Sequence, residues 1–213
     1  MKKIITALIA VIFIGVIGTA GIIAKNHTTA DEDKFFTSAK KYKRDKTVVA
    51  VVDNEKIYKY QVDFMQSSQR LSKENAEKNG YDTSEITVDS TDKILKNIIR
   101  ETVALNEAKR LKLTAKYSDA KKYITENYNA MMSEDSENSR FMKQYLSEMN
   151  FSEKEYIKQA SEAYQDTLTR TNLYNYFIKD REGSEEELKS QYEQYLDELT
   201  DKADIVYTNV EIK

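Results

Sequence analysis

Residues able to perform acid–base, nucleophilic or metal chemistry are scarce in this chain of 213 residues. It contains no cysteine, which excludes thiolate catalysis, cysteine metal sites and disulfides. Its one histidine, His27, follows an apolar N-terminal segment, so a histidine-based triad or metal site in the rest of the chain is excluded. Acidic pairs such as Asp135 and Glu137 lie in a polar stretch that favours solvation over paired-carboxylate catalysis. We therefore predict a protein that is not an enzyme, with no catalytic, cofactor-binding or metal-binding residues.

The charge balance does not favour a nucleic-acid partner. The chain carries 33 basic and 36 acidic residues, a net charge of −3. A nucleic-acid-binding domain is usually basic, with its charge gathered on one face. We predict no nucleic-acid binding.

An apolar segment at the N-terminus predicts export across a membrane. Lys2 and Lys3 precede Ile4 to Ala24, a run without any charged residue. A helix of about 20 apolar residues spans the ~30 Å hydrocarbon core, and basic residues before it stay in the cytoplasm. We expect a single-pass anchor in the cell membrane through residues 4–24, with the C-terminal domain outside the cytoplasm. Two alternatives remain open: a signal peptide whose cleavage secretes the chain, and a buried core helix.

We divide the chain into a signal or transmembrane anchor at 1–25, a polar tether at 26–46 and a folded domain at 47–213. The domain is expected to open with a small β-hairpin: a β-branched strand at 47–52, a turn at 53–56 and a second short strand at Ile57-Tyr58. A last strand is predicted at 205–212, and an isolated strand needs a partner. We therefore predict that the two ends of the domain meet at the hairpin.

Helices are predicted between these strands. The chain has no proline and only five glycines, and its apolar residues recur with helical periodicity. The predicted helices run over about 60–79, from Asp92 to about Leu111, from a Ser118 cap to about Met132, over 140–149, from a Ser152 cap to Ile178 and from a Ser184 cap onwards, with a loop at 133–139. Ser152 with Glu155 and Ser184 with Glu187 have the spacing of capping boxes. The fold class is mostly α: a multi-helix domain with a small β-hairpin joined by a C-terminal strand, preceded by a transmembrane or signal helix.

Two passages carry a resemblance to a known family. A short strand runs through Val-Val-Asp53-Asn54-Glu55-Lys56-Ile57 into a helix, and an amphipathic helix follows with Ile94-Leu95, Ile98-Ile99, Val103, Glu107-Ala108 and Leu111. This pattern resembles the N-terminal chaperone domain of the SurA/PrsA-type extracytoplasmic folding factors over about residues 47–205. The resemblance implies a helical, chaperone-type domain that binds unfolded or partly folded exported polypeptides.

Several positions depart from that family pattern. The family's turn glycine is Asn54 or Glu55 here, and the glycine after its second helix is Lys112. A parvulin-type isomerase domain would begin near Ile205, and the sequence ends at Lys213. We therefore expect prolyl isomerisation by the family mechanism to be absent. The resemblance implies a holdase; the alternative is an extracytoplasmic adaptor that binds one specific protein partner.

Tyrosine and methionine are abundant, with 15 and 6 copies respectively, and both supply contact area that adapts to varied partners. Seven large side chains gather in the middle of the chain, and we predict that they bind client polypeptides. They are Tyr123, Tyr128, Met131, Met132, Phe141, Met142 and Tyr145. The alternative is that these residues form the core between the helices.

Overall fold

The computed structural model describes residue 40 and residues 46–78, 80–84 and 86–208. The predicted anchor at 1–25, nearly all of the tether at 26–46 and the last residues of the strand predicted at 205–212 lie outside the described residues. Among the residues that are described, no helix combines the length and the apolar composition needed to cross a membrane. The membrane segment and the location of the protein therefore stay predictions.

The hairpin consists of β1 (Val48–Val52) and β2 (Glu55–Tyr58), which pair antiparallel. Only Asp53 and Asn54 connect them, with φ angles of +47° and +73°. Two left-handed residues make a tight turn whose twist matches that of the paired strands, and Asp and Asn tolerate this backbone better than other side chains. The turn predicted at 53–56 is therefore too long, because Glu55 and Lys56 belong to β2.

The third strand, β3 (Ile205–Tyr207), pairs antiparallel with β1, so the strand order is β2-β1-β3. The pairing continues at Thr208, whose backbone N–H donates to the carbonyl oxygen of Val49 at 3.1 Å. The two ends of the domain therefore meet at the hairpin, which confirms the prediction.

Six helices lie between β2 and β3: α1 (Lys59–Lys78), α2 (Thr91–Arg110), α3 (Tyr117–Ser133), α4 (Glu137–Glu148), α5 (Glu153–Ile178) and α6 (Glu185–Lys202). The predicted mostly-α class with a small sheet is confirmed; the helix expected to precede it lies outside the described residues. Both predicted capping boxes are present. Ser152 accepts from the backbone N–H of Glu155 at the start of α5, and Ser184 accepts from that of Glu187 at the start of α6.

Two helix starts differ from the predictions. α3 begins at Tyr117 with Lys116 at the N-cap position, so Ser118 lies within the helix and is not its cap. α4 begins at Glu137, inside the predicted loop at 133–139. Ser136 caps it in a reciprocal pair with Ser139, at 3.3 and 3.2 Å. The sequence pattern did not indicate this capping box, because serine replaces the usual Glu or Gln at the third helical position.

Two residues that replace family glycines adopt glycine-like backbones. Asn54 lies in the hairpin turn, and Lys112 follows α2 with a φ of +61°. A left-handed residue after a helix lets the next backbone N–H reach the last turn, and Leu113 N–H does so at 2.9 Å from the carbonyl oxygen of Ala108. Of the two candidates for the turn position, Asn54 has a left-handed backbone, whereas Glu55 lies in β2.

The described residues form three buried apolar clusters. The first joins the sheet to α1 and α2 and contains Val52, Ile57 and Ile99. The second joins the ends of α2 and α5 to α6, with Leu173 fully buried. The third joins α3, α4 and the first half of α5 around Met142. Helix α2 takes part in two clusters and α5 in two, so these helices connect the whole domain.

Candidate functional site

The seven residues predicted to bind clients lie together on α3 and α4, against the first half of α5. Four of them are buried in the third cluster: Tyr128, Phe141, Met142 and Tyr145. Met131 and Met132 are half-buried at its edge, and Tyr123 is exposed, with 41% of its surface accessible. The structure therefore brings the seven residues together, mainly as core. The prediction that they bind clients is not tested by this arrangement.

Aromatic contacts hold this region together. Tyr156 of α5 contacts Tyr128 and Tyr145, with ring centroids 5.7 and 6.2 Å apart, and Tyr123 stacks on Tyr164 at 4.5 Å. Such pairs are worth about 0.5–1.5 kcal/mol beyond the area they bury. Burial raises the pKa of the Tyr145 and Tyr156 hydroxyls, and burial together with Tyr123 raises the pKa of Tyr164 to about 12. These hydroxyls stay neutral at physiological pH, so the cluster offers amphipathic contact area rather than reactive groups.

A second feature is a groove of about 350 Å³ lined by α1, α2, α5 and α6, which we call the α2 groove. Asn97, Arg100, Glu101 and Ala104 line it from one face of α2, since their spacing of three or four residues places them above one another. Met65 of α1 and Leu196 of α6 add apolar surface. The groove therefore combines apolar side chains with groups that can donate and accept hydrogen bonds.

Arg100 connects α2 to α6 along this groove. Its guanidinium donates to the carboxylate of Glu193, to the backbone carbonyl oxygen of Glu193 at 2.5 Å and pairs with Asp197 at 3.0 Å. Its Nε atom is buried and has no hydrogen-bond partner in the described part of the chain. Arg100 thus fixes one side of the α2 groove and keeps one donor unused.

The pair between Glu101 and Arg170 borders the α2 groove and also a second cavity of about 300 Å³ between β2, α2 and α5. Burial raises the pKa of Glu101, and the charge of Arg170, 3.8 Å away, opposes that rise. Asp166, in the second cavity, also has a pKa raised mainly by burial, although Lys109 and Arg170 oppose it. The charged groups here balance one another, so the site is not a strong anion or cation trap.

Nothing in this arrangement indicates a cofactor or metal site. Within the described ranges, no three Asp, Glu or His side chains are grouped as metal ligands. His27 lies outside the described residues. The raised pKa of Glu101 and of Asp166 comes mainly from burial. The side chains that line the α2 groove can make apolar contacts and hydrogen bonds with a bound molecule.

Sequence reasoning missed the α2 groove, although a signal was present. Asn97, Arg100 and Glu101 border the apolar stripe of α2, and Thr167 and Arg170 form a polar band within the long helix α5. Each set alone is typical of a solvated helix face. Only their placement on facing helices indicates a groove.

One comparison with known proteins gives a match. The model of the family described as SurA-like N-terminal domain matches residues 1–168, from the N-terminus into the middle of α5. No curated protein and no solved structure matches the chain. The match confirms the resemblance predicted from the sequence.

Proposed function

Since the chain belongs to the SurA-like N-terminal domain family, we propose that it is a holdase that binds unfolded or partly folded exported polypeptides and keeps them from aggregating. The family match over residues 1–168 is the observation that carries this proposal. The proposal includes binding without prolyl isomerisation, at the outer side of a membrane that residues 4–24 span. The client is an extended or partly folded chain that exposes apolar side chains beside main-chain amides.

The α2 groove supports this proposal by its chemistry. An unfolded polypeptide offers apolar side chains together with main-chain donors and acceptors, so a holdase needs surfaces that satisfy both. Met65, Ala104 and Leu196 supply apolar contact in the groove. Asn97, which is exposed, supplies an amide that can donate and accept hydrogen bonds beside them.

The cluster on α3 and α4 is a second contact region in this proposal. Tyr123 and the half-buried Met131 and Met132 border it and are the first side chains that a client would meet. Using Phe141, Met142 and Tyr145 would require α4 to move away from α3 and α5, because these residues are buried in the cluster that the three helices share. The chain would then exchange its own apolar contacts for those of the client.

An aggregation assay tests the holdase proposal. The full chain in lipid nanodiscs is mixed with two unrelated denatured proteins, and light scattering is compared with that of empty nanodiscs. We expect slower aggregation of both substrates. Aggregation of both at the rate with empty nanodiscs would refute the proposal.

A matched pair of variants tests the groove. Asn97→Trp places a large ring in the α2 groove from an exposed position, whereas Lys96→Trp adds the same ring at an exposed neighbouring residue that does not line it. We expect Asn97→Trp to reduce protection and Lys96→Trp to preserve it. Equal protection by both variants would exclude the groove as the contact site and leave the holdase proposal intact.

The absence of catalysis and the membrane anchor are tested separately. Cis–trans exchange of a prolyl peptide above the uncatalysed rate would overturn the proposal of binding without isomerisation. The mass of the mature protein reports the N-terminus: a chain that begins at Met1 supports an anchor, and one that begins after Ala20 or Ala30 indicates cleavage.

One observation favours the adaptor as a second candidate. The tyrosine and methionine cluster is mostly buried, and Arg100 and Arg170 are held by ion pairs, so the accessible surface is well defined rather than adaptable. A fixed surface suits one partner of fixed shape. If the chain slows the aggregation of neither denatured substrate and one protein is recovered with it in a stoichiometric complex, the result would support the adaptor.

A further inference from the structure

The outer edge of β3 has main-chain groups that the fold leaves available. In the β1–β3 ladder, Asp53 N–H donates to Asp204 oxygen at 3.0 Å and Thr208 N–H donates to Val49 oxygen at 3.1 Å. Val206, between them, lies opposite Val51. Because main-chain groups alternate in direction along an antiparallel strand, Ile205 and Tyr207 direct their N–H and C=O groups away from β1. Among the described residues, no strand pairs with that side.

The side chains on β3 are apolar and accessible. Val206 is 55% exposed and Tyr207 is 57% exposed, while Ile205 packs against the core of the sheet. Natural sheets usually protect an edge by keeping the edge strand very short, or with lysine, proline, a bulge or a covering element, and β3 is short, with three residues. The three residues of β3 contain neither a charge nor a proline. The opposite edge differs, because β2 begins with Glu55 and Lys56 and borders the second cavity beside α2 and α5.

We propose that β3 is a docking strand that accepts an extended, apolar polypeptide segment as a fourth strand, in the order β2-β1-β3-client. The proposal rests on the proposed function, because the segment is part of a held client. Donors and acceptors at a two-residue repeat along an edge are complementary to an extended main chain. Val206 and Tyr207 provide the apolar contact that selects its side chains.

Charge at one end of β3 adds a preference to this site. Asp53 and Asp204 are both exposed, and the backbone N–H of Asp204 donates to the carboxylate of Asp53 at 3.1 Å. These two carboxylates lie where β3 begins. A client segment with a basic residue next to its apolar run therefore fits this edge better than one with an acidic residue there.

Proline substitution can block the edge without touching the ladder to β1. Tyr207→Pro removes an N–H that points outward and places a ring where the client strand would lie, and edge strands tolerate proline at such a position. Tyr207→Ala removes the aromatic ring and keeps the N–H, so it is the matched control. The probe is a fluorescein-labelled peptide of sequence Lys-Thr-Val-Ile-Val-Thr-Val, and fluorescence anisotropy measures its binding to the full chain in nanodiscs.

We expect Tyr207→Pro to weaken peptide binding by about ten-fold or more, and Tyr207→Ala to weaken it by about three-fold or less. Two N-methylated versions of this peptide are then measured with the unchanged protein, each methylated at the alternate amides of one of its two edges. The version methylated on the edge that pairs with β3 should bind about ten-fold more weakly. That second measurement requires no variant to fold. Equal affinity of both N-methylated peptides, or of Tyr207→Pro and the wild type, would overturn the docking strand.

A cross-linking experiment separates a client from a second copy of the chain. Because the sequence has no native cysteine, Val206→Cys creates a unique site for a photoreactive label, and Tyr176→Cys labels an equally exposed residue at the far end of α5. Cross-linking of the peptide from position 206 and not from position 176 supports the proposal. Cross-linking of position 206 mainly to another copy would assign the edge to dimerisation and overturn it. Retained protection against aggregation by Tyr207→Pro with unchanged peptide binding would refute the docking strand and leave the holdase proposal standing.

Discussion

Met142→Ala decides whether the cluster on α3 and α4 is structural in the free protein. Met142 has 0% of its surface exposed and packs among the aromatic side chains of α3, α4 and α5. Removing a buried Met side chain loses its transfer free energy and leaves a cavity, which together cost about 2–5 kcal/mol. We expect the free energy of unfolding to fall by about 3 kcal/mol, which corresponds to a decrease of roughly 6–12 °C in Tm for a domain of this size.

The assay is urea unfolding followed by far-UV circular dichroism, with Lys143→Ala as the control. Lys143 is the next residue of α4 and is exposed, so its substitution should change the free energy of unfolding by less than about 0.5 kcal/mol. If the free energy of unfolding decreases with urea concentration at the same slope in both variants, unfolding exposes the same amount of surface in both.

One outcome would refute the structural reasoning. If Met142→Ala unfolds like Lys143→Ala and nevertheless loses protection of denatured substrates, Met142 is a surface contact and the cluster is open. If Met142→Ala is destabilised but still protects substrates at a temperature where it is folded, Met142 is core and clients bind elsewhere.

Three further predictions concern individual residues. Burial raises the pKa of Asp166 in the folded protein above its value in the unfolded chain, which is about 4. The charged carboxylate therefore lowers the free energy of unfolding at a pH above the folded pKa, and this destabilisation disappears as the pH falls towards the unfolded pKa. Asp166→Asn should therefore be more stable than the wild type near pH ~7 and lose that advantage near pH ~4, in thermal unfolding across this range. Ser152→Ala removes the acceptor for the backbone N–H of Glu155, 3.2 Å away, and should lower the free energy of unfolding in urea by about 1 kcal/mol. Ser190→Ala, at an exposed position within α6, is the control and should lower it by less than about 0.5 kcal/mol. Lys112→Val should cost about 1–2 kcal/mol, because a β-branched side chain opposes the φ of +61°, while Lys112→Gly should not reduce stability; equal costs for the two would contradict the backbone argument.

Local sequence signals predicted most of the elements. The capping boxes at Ser152 and Ser184 located two helix starts, because the side chain and the backbone that it caps lie within four residues of each other. The start of α4 was missed because Ser139 replaces the usual Glu. The length of the hairpin turn was missed because it depends on the backbone of Asp53 and Asn54, which their residue types allow but do not require.

The sequence by itself determined the elements of this protein: its helical periods, its apolar N-terminal segment, the lack of cysteine and the family pattern. These follow from residues that are close together in the chain. Only the tertiary structure decided which surfaces are accessible. Tyr128 and Met142 became core because α3, α4 and α5 pack around one apolar cluster, and the α2 groove formed where polar faces of separate helices meet. The free edge of β3 also depends on the tertiary structure, because the sheet order places β3 beside β1 and at the end of the described sheet.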